Sequence, residues 1–513
     1  MRSPRLPPRA TLIAAGVSLS ILLISIVAAA RPGGGHSYSG GSSHSSSGGG
    51  SHSSGGGGDG GAGLFYLILL CIEHPVIGIP LLIIVVAFYV IKTRMSGSGS
   101  DWSTANDSGN ADERRAMPAA REQSFAVTRS MLDQLRAADP DFSVVLFEDF
   151  VYTLYGELHR SRAQAASARL SPYVAPGALG ALGQNAALRE VRGIVIGAMR
   201  CVWLTGGSTG QATTVEIEFE ANYGEVTQSG ERRLYVVERM TLVRAAGARS
   251  RPPARARTLD CPNCGAPLEN VRGDQCSYCK KSVGGGRFDW FVTQFRRSHT
   301  EPRGPLLGGD VAEQGNNLRT VADPQAPARV DQLRARDPSF DWNQFQGRIG
   351  LIFQSLQVAW SSREWLRARP FVSDNLFQSQ MYWIDLYIQQ RARNVTENAR
   401  VVRIELASVI SDKYFDAITV RVWATGLDYT VTDDGRMLGG SRTKERPYSE
   451  YWTLIRGSER ANKPTTTAAA CPNCGAPLAV SMTGNCNYCR VKVTTGEFDW
   501  VLSRIEQDES YGG

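Results

Sequence analysis

The pattern C-x2-C-x11-C-x2-C occurs twice in this chain, as CPNCGAPLENVRGDQCSYC at 261–279 and CPNCGAPLAVSMTGNCNYC at 471–489. Two cysteines separated by two residues sit on one tight turn. A pair of such turns can face each other and close a tetrahedral four-thiolate site, the donor set that suits Zn2+. The spacing therefore assigns two structural Zn2+ sites. Cys261, Cys264, Cys276 and Cys279 form the first, and Cys471, Cys474, Cys486 and Cys489 form the second. With four thiolate ligands no position stays open for water, so neither site is expected to be catalytic. Two disulfides per cluster are the alternative for an exported domain. The remaining cysteines, Cys71 and Cys201, lie in apolar runs and are read as inert packing residues.

A chain of 513 residues is too long for one core, and a net charge of +7 is small for that length. The first part belongs to a membrane. Arg2, Arg5 and Arg9 precede an uncharged apolar run, and Ala28 and Ala30 fit a small-x-small cleavage site. Residues 1–30 are therefore read as a signal peptide, with an uncleaved first membrane helix as the alternative. Residues 31–63 are mostly Gly and Ser and form a flexible segment, in which His36, His44 and His52 are solvated.

Leu64 to Ile91 is apolar and, as a helix, would reach about 42 Å, enough to cross a hydrocarbon layer of about 30 Å. Glu73, His74, Pro75 and Pro80 interrupt its first half; near one end, the charged groups can snorkel to the interface. Lys92 and Arg94 follow the span, whereas the loop before it holds only Arg31. Basic flanks stay inside, so a single-pass inner (plasma) membrane protein with cytoplasmic C-terminal domains is expected. That placement favours metal over disulfides in both cysteine clusters. A polar linker at 92–122 follows.

Beyond residue 122 the chain repeats itself. DQLRAADPDF at 133–142 returns as DQLRARDPSF at 331–340. Each copy leads into a helix with one apolar face, Phe147, Val151, Leu154, Tyr155 and Leu158 in the first, Phe345, Ile349, Ile352, Phe353 and Leu356 in the second. Ser143 and Asp341 are the expected N-caps, Asp341 with Gln344 in a capping box. Alternating strands come next. TVEIEFEANY at 214–223 turns Val215, Ile217 and Phe219 one way and three glutamates the other, and AITVRVWA at 417–424 does the same with Ile418, Val420 and Val422. ERMTLVR at 238–244 and EYWTLIR at 450–456 share Glu, Thr, Leu and Arg. Helices before half-polar strands predict an α+β fold, its antiparallel sheets keeping one wet face. After each cysteine cluster, FDWFVTQF and FDWVLSRI are expected as short helices. Their stripes are Phe288, Phe291, Val292, Phe295 and Phe498, Val501, Leu502, Ile505.

Helices, a curved antiparallel sheet and a closing E-x-x-T-L-x-R strand resemble the Tim44-like domain, the membrane-facing domain of the mitochondrial import-motor tether. Bacterial members are similar at the N-terminus too, with a Gly/Ser tract before a span containing IEHPVIGIP. The resemblance implies a cone-shaped fold of the nuclear-transport-factor-two-like type and a membrane- or polypeptide-binding role. The duplication and the paired cysteine clusters depart from that family. Those clusters resemble the zinc-ribbon pattern CPxCG, except that Lys280 and Arg490 stand where Gly is common. The expected domains are a Tim44-like domain at 123–247, a ribbon with its helix at 258–296, a linker at 297–328, a second Tim44-like domain at 329–458 and a second ribbon with its helix at 468–507.

Two other function classes make different demands on the sequence. Nucleic acid would need basic residues interleaved with aromatics. RAAGARSRPPARAR at 244–257 has few aromatics and no counterpart before the second ribbon, so it reads as a solvated linker. An enzyme would need a nucleophile–base pair, and the only histidine of the first unit's long helix, His159, reads as a surface or cap residue. The sequence thus predicts a membrane-anchored, non-catalytic scaffold or adaptor with a membrane surface and a protein partner, and neither nucleic acid nor a small-molecule substrate.

Overall fold

The computed structural model describes residues 132–512, apart from 133–134, 164–168, 183–186, 208–209, 257, 303–312, 314, 461–462 and 509–510. The signal, the Gly/Ser segment, the span with Cys71, Glu73 and His74, and the first linker lie outside the described residues. Among the described residues, no helix is long and apolar enough to cross a membrane.

Each repeat carries one long helix, α1 (Val144–Ser161) in the first and α5 (Trp342–Ser361) in the second. Both start where the caps were expected. The Ser143 hydroxyl accepts from the Leu146 amide at 3.3 Å, and the Asp341 carboxylate accepts from the Gln344 amide at 2.8 Å. The two expected apolar faces are buried, no residue of either being more than 5% exposed. Shorter helices complete the helical layer, α2 (Pro176–Ala181) in the first repeat and α4 (Ala326–Arg336) and α6 (Asp374–Gln389) in the second.

Against the helices lie two four-stranded antiparallel sheets. The first contains β1 (Glu190–Thr205), β2 (Thr213–Thr227), β3 (Gly230–Arg244) and β6 (Phe291–Glu301), in the order β1-β2-β3-β6. The second contains β7 (Ala392–Ser411), β8 (Phe415–Thr432), β9 (Met437–Gly457) and β10 (Val501–Gln507), in the order β10-β9-β8-β7. The fold is mixed α+β, as expected. In β2 the predicted alternation holds, with Val215, Ile217 and Phe219 buried and the glutamates between them partly exposed.

The single wet face does not hold in the second sheet. Thr419 and Arg421 of β8 are buried along with Ile418, Val420 and Val422. The chain itself covers that face. Tyr511 stacks on Tyr451 with centroids 3.7 Å apart, and Arg421 donates to the carbonyls of Gly315 and Leu318 at 2.8 Å each and to Asp508 at 2.7 Å.

The helices expected after the cysteine clusters are instead strands. β6 pairs with β3, and β10 pairs with β9. A β-bulge explains the misleading period. Leu242 and Met240 face the core and oppose Val292 and Phe295, because the register shifts at Thr293. Leu454 and Trp452 likewise oppose Leu502 and Ile505 across a shift at Ser503. One extra residue turns a strand's two-residue period into a spacing of three, which resembles a helical face. Each cysteine cluster is therefore an insertion between the third and fourth strands of a sheet. The sheets do not close at 247 or 458, and the expected linker at 297–328 contains the end of β6 and the start of α4.

The repeats touch. Val145, Leu146 and Ala256 of the first pack with Phe415, Ala417 and Ile455 of the second. Glu148 pairs with Arg504 at 2.5 Å, and Lys413 with Asp141 at 2.5 Å. At Gly193, whose φ is +60°, a Cβ would lie 2.1 Å from the Tyr382 ring, so only glycine admits this approach.

Candidate metal centres

In the first cluster, Cys261 and Cys264 lie on one turn, and Cys276 and Cys279 lie on another that follows the hairpin β4 (Val271–Arg272) and β5 (Gln275–Cys276). The Gly265 amide donates to the Cys261 carbonyl at 2.8 Å, and the Lys280 amide donates to the Cys276 carbonyl at 2.8 Å. The second cluster repeats both bonds, Gly475 to Cys471 and Arg490 to Cys486, at 2.9 Å each. The residue that closes each turn is left-handed, with φ of 78° and 74° at Gly265 and Gly475 and of 60° and 64° at Lys280 and Arg490. Lys280 and Arg490 thus adopt the glycine-like geometry that their side chains disfavour by about 1 kcal/mol each.

The four sulfurs of each cluster lie within 4.8 Å of one another. Cys261 and Cys279 are 3.9 Å apart, as are Cys264 and Cys276, and Cys471 and Cys489. A disulfide requires about 2.05 Å. A tetrahedron with Zn–S bonds of about 2.3 Å has edges of about 3.8 Å, so the donor set fits such an ion. The thiols within a cluster differ. Burial pushes Cys261 and Cys471 up to about 12, whereas the Lys281 amide holds Cys279 at about 6 and the Asn473 side chain holds Cys489 at about 6.

Each cluster is clamped to its own repeat. The Tyr173 hydroxyl donates to the Asp260 carbonyl at 2.6 Å, and Arg369 donates to the Met482 carbonyl at 2.8 Å. The basic run before the first cluster takes part and is not a solvated linker. It contains the short helix α3 (Pro253–Ala256). Arg251 is buried against Asp260 at 3.0 Å and Asp289 at 2.5 Å, and Arg255 donates to the Asn263 carbonyl at 3.1 Å.

Three repeated motifs converge beside each cluster. Arg244, the last residue of ERMTLVR, pairs with Asp139 of the DQLRAADP segment at 2.9 Å and lies 4.7 Å over the Trp290 ring of FDW. Arg456 pairs with Asp337 at 2.5 Å and lies 4.7 Å over Trp500. The sequence displayed all three motifs twice, and only the fold shows that they meet.

His159 is neither a surface nor a cap residue. It is fully buried in the first repeat, with Nε2 2.9 Å from a Glu238 oxygen and Nδ1 3.3 Å from Arg162. An arginine can only donate, so Nδ1 accepts, and the neutral ring carries its proton on Nε2 toward Glu238. Tyr155 also donates to Glu238, at 2.5 Å, and Arg297 does so at 2.7 Å. Burial depresses the imidazole despite Glu238. Burial would raise the Glu238 carboxyl, but His159, Arg297 and Tyr155 hold it at about 2. The one signal in the sequence was the shared glutamate of E-x-x-T-L-x-R. Cys201 is buried and pushed up to about 11 by that burial, in keeping with a packing role. A cavity of about 460 Å³ opens on the outer face of the first sheet, where Arg239 and Arg296 both face Glu216, at 3.5 and 3.6 Å.

The second helical and sheet layer, from α4 through β9, is similar to a known family. Residues 327–465 match the Tim44-like domain. No curated protein matches the chain. The matched span stops before the second cysteine cluster and β10, so the fourth strand of that sheet lies outside it. A Tim44-like domain points to binding or tethering without catalysis.

Proposed function

We propose that this protein is a membrane-anchored, non-catalytic tether that presents two Tim44-like domains, at 135–301 and 327–507, to a polypeptide or a lipid surface on the cytoplasmic side. The family match at 327–465 carries this reading. The first repeat joins it because its Arg244–Asp139–Trp290 lock reproduces Arg456–Asp337–Trp500. The anchor is the apolar run at 64–91, oriented by its basic flanks.

Each cluster, Cys261/Cys264/Cys276/Cys279 and Cys471/Cys474/Cys486/Cys489, holds one Zn2+ in this reading. The ion supplies folding free energy where few apolar residues are available, on the order of 10 kcal/mol per site. Nucleic-acid binding is disfavoured because Arg244, Arg251 and Arg255 of the basic run are committed within the fold. Catalysis is disfavoured because His159 and Glu238 are packed among aromatic rings.

Proximity crosslinking in native membranes tests the tether. Recovery of membrane or envelope proteins supports it, and recovery of RNA or DNA overturns it. A cytosol-only fluorescent reporter fused after residue 513 should light up; activity of a periplasm-only reporter there would overturn the topology.

A further inference from the structure

The second cysteine cluster is built into the polar contact that α1 makes with the second repeat. The first reaches the contact between the repeats only through α3, where Arg255 holds the Asn263 carbonyl and Ala256 packs on Phe415. Arg369, buried under the second cluster, donates to the Met482 carbonyl at 2.8 Å and to Asp374 at the start of α6. From within the cluster's own loops, Lys492 donates to Asp374 at 2.6 Å and Thr494 donates to it at 3.4 Å. Packing here is close, since a Cβ on Gly484 would lie 2.2 Å from the Thr494 hydroxyl. The next residue, Asn375, crosses to the first repeat and donates to Asp149 at 3.1 Å. On the other side the chain leaves the cluster into β10, and Arg504 there pairs with Glu148, also of the first repeat. The cluster thus braces both residues that grip adjacent positions of α1.

The first cluster lacks these links. Gln294, opposite Thr241 as Arg504 is opposite Thr453, is exposed. Ala175 matches Ser373, because each donates its amide to the fourth strand, to Val292 and Leu502 respectively. Gly177 therefore stands where Asn375 does, and a Cβ there would meet nothing within 4 Å.

We propose that metal in the second cysteine cluster is a clasp that keeps the two repeats docked at α1, whereas metal in the first chiefly holds its own sheet. The inference rests on the reading of the cysteines as metal ligands. Losing the ion frees the loops at Met482, Lys492 and Thr494, and with them the supports of Asn375 and Arg504. The relative placement of the two binding domains then depends on the metal state of one site.

Hydrogen exchange by mass spectrometry on the full chain in detergent under reducing conditions, with metal analysis alongside, tests this. Cys486→Ser should lose one of two metals and speed exchange in the first half of α1 by roughly tenfold. Cys276→Ser should lose one metal, loosen its own repeat and leave the start of α6, in the second repeat, within about twofold of wild type. Asp374→Asn keeps every ligand; it should retain both metals and still speed α1, and it serves if Cys486→Ser does not fold. Unchanged α1 exchange in Asp374→Asn, or in a Cys486→Ser protein that has lost its metal, overturns the clasp and leaves the metal reading standing. Loosening of the start of α6 by Cys276→Ser as large as that of α1 by Cys486→Ser also overturns it. Wild-type protein without bound metal overturns both.

Discussion

Arg456 and Asp337 are each 1% exposed and 2.5 Å apart, under the ring of Trp500. Removing one member of such a pair strands the other charge. Asp337→Asn should therefore cost roughly 3–5 kcal/mol in chemical denaturation, whereas loss of the exposed Arg334–Asp331 pair through Arg334→Met should cost under about 1 kcal/mol. Comparable effects would remove the lock from the account of the fold.

His159 makes a second prediction at this scale. Its imidazole is held below the ordinary value, so the unfolded chain takes up a proton that the folded chain refuses. The first repeat should lose stability as pH falls below about 6.5, by up to about 1.4 kcal/mol per pH unit. Glu238 has the opposite linkage: its contribution is complete above about 4.5 and is lost as pH falls toward about 2. His159→Gln, borrowing the residue at the matching position of α5, Gln357, should flatten the profile between pH 4.5 and 6.5 and shrink the lower loss, because His159 is one of the groups that hold Glu238 down. An unchanged profile in that variant would show that His159 is not its source.

The fourth strands carry the prediction at the scale of elements. Thr293 and Ser503 are the extra residues that bring Phe295 and Ile505 into line with the core. Ser503 is the unpaired residue, so deleting it would leave Arg504 and Ile505 opposite Thr453 and Trp452 in a regular ladder. Inserting an alanine after Arg504 instead turns Ile505 outward and Glu506 inward. The insertion should cost roughly 3 kcal/mol or more in chemical denaturation, against under about 1 kcal/mol for Ser503→Ala. Equal costs would argue that the core does not set the register. The same bulges explain why these segments read as helices. A hydrophobic spacing of three is ambiguous until the partner strand is known, and the partners lie about fifty residues upstream in the chain.

For the whole molecule, the boundary between the repeats matters most. A fragment covering 325–510 omits Gly315 and Leu318, whose carbonyls receive buried Arg421, and Tyr511, which stacks on Tyr451. A fragment covering 313–513 should therefore be more stable by about 2 kcal/mol or more in thermal or chemical denaturation. Equal stability would mean that the covering segments contribute little. The contact between repeats is also one-sided. Where α1 presents Glu148 and Asp149, the matching positions of α5 are Gln346 and Gly347. A third repeat could not dock on α5 through the same ion pair.

The sequence alone determined what depends on near neighbours and on repetition. Caps, apolar helical faces, strand alternation and thiol spacing are set within about a dozen residues. The DQLRA and E-x-x-T-L-x-R segments and the cysteine clusters, each present twice, marked the unit and its ligand set. Tertiary structure decided what depends on distant partners. Pairing with β3 and β9 made strands of segments with a helical period. Asp139, Asp260 and Asp289 drew the arginines of an apparent linker into the fold. The residues around 315–321 and the C-terminal end dried a face that alternation had assigned to water. Glu238, which lies 79 residues from His159, set that histidine's burial and its protonation together. Periodicity reports which side of an element is apolar, whereas what lies against the other side is fixed only by the packing of the whole chain.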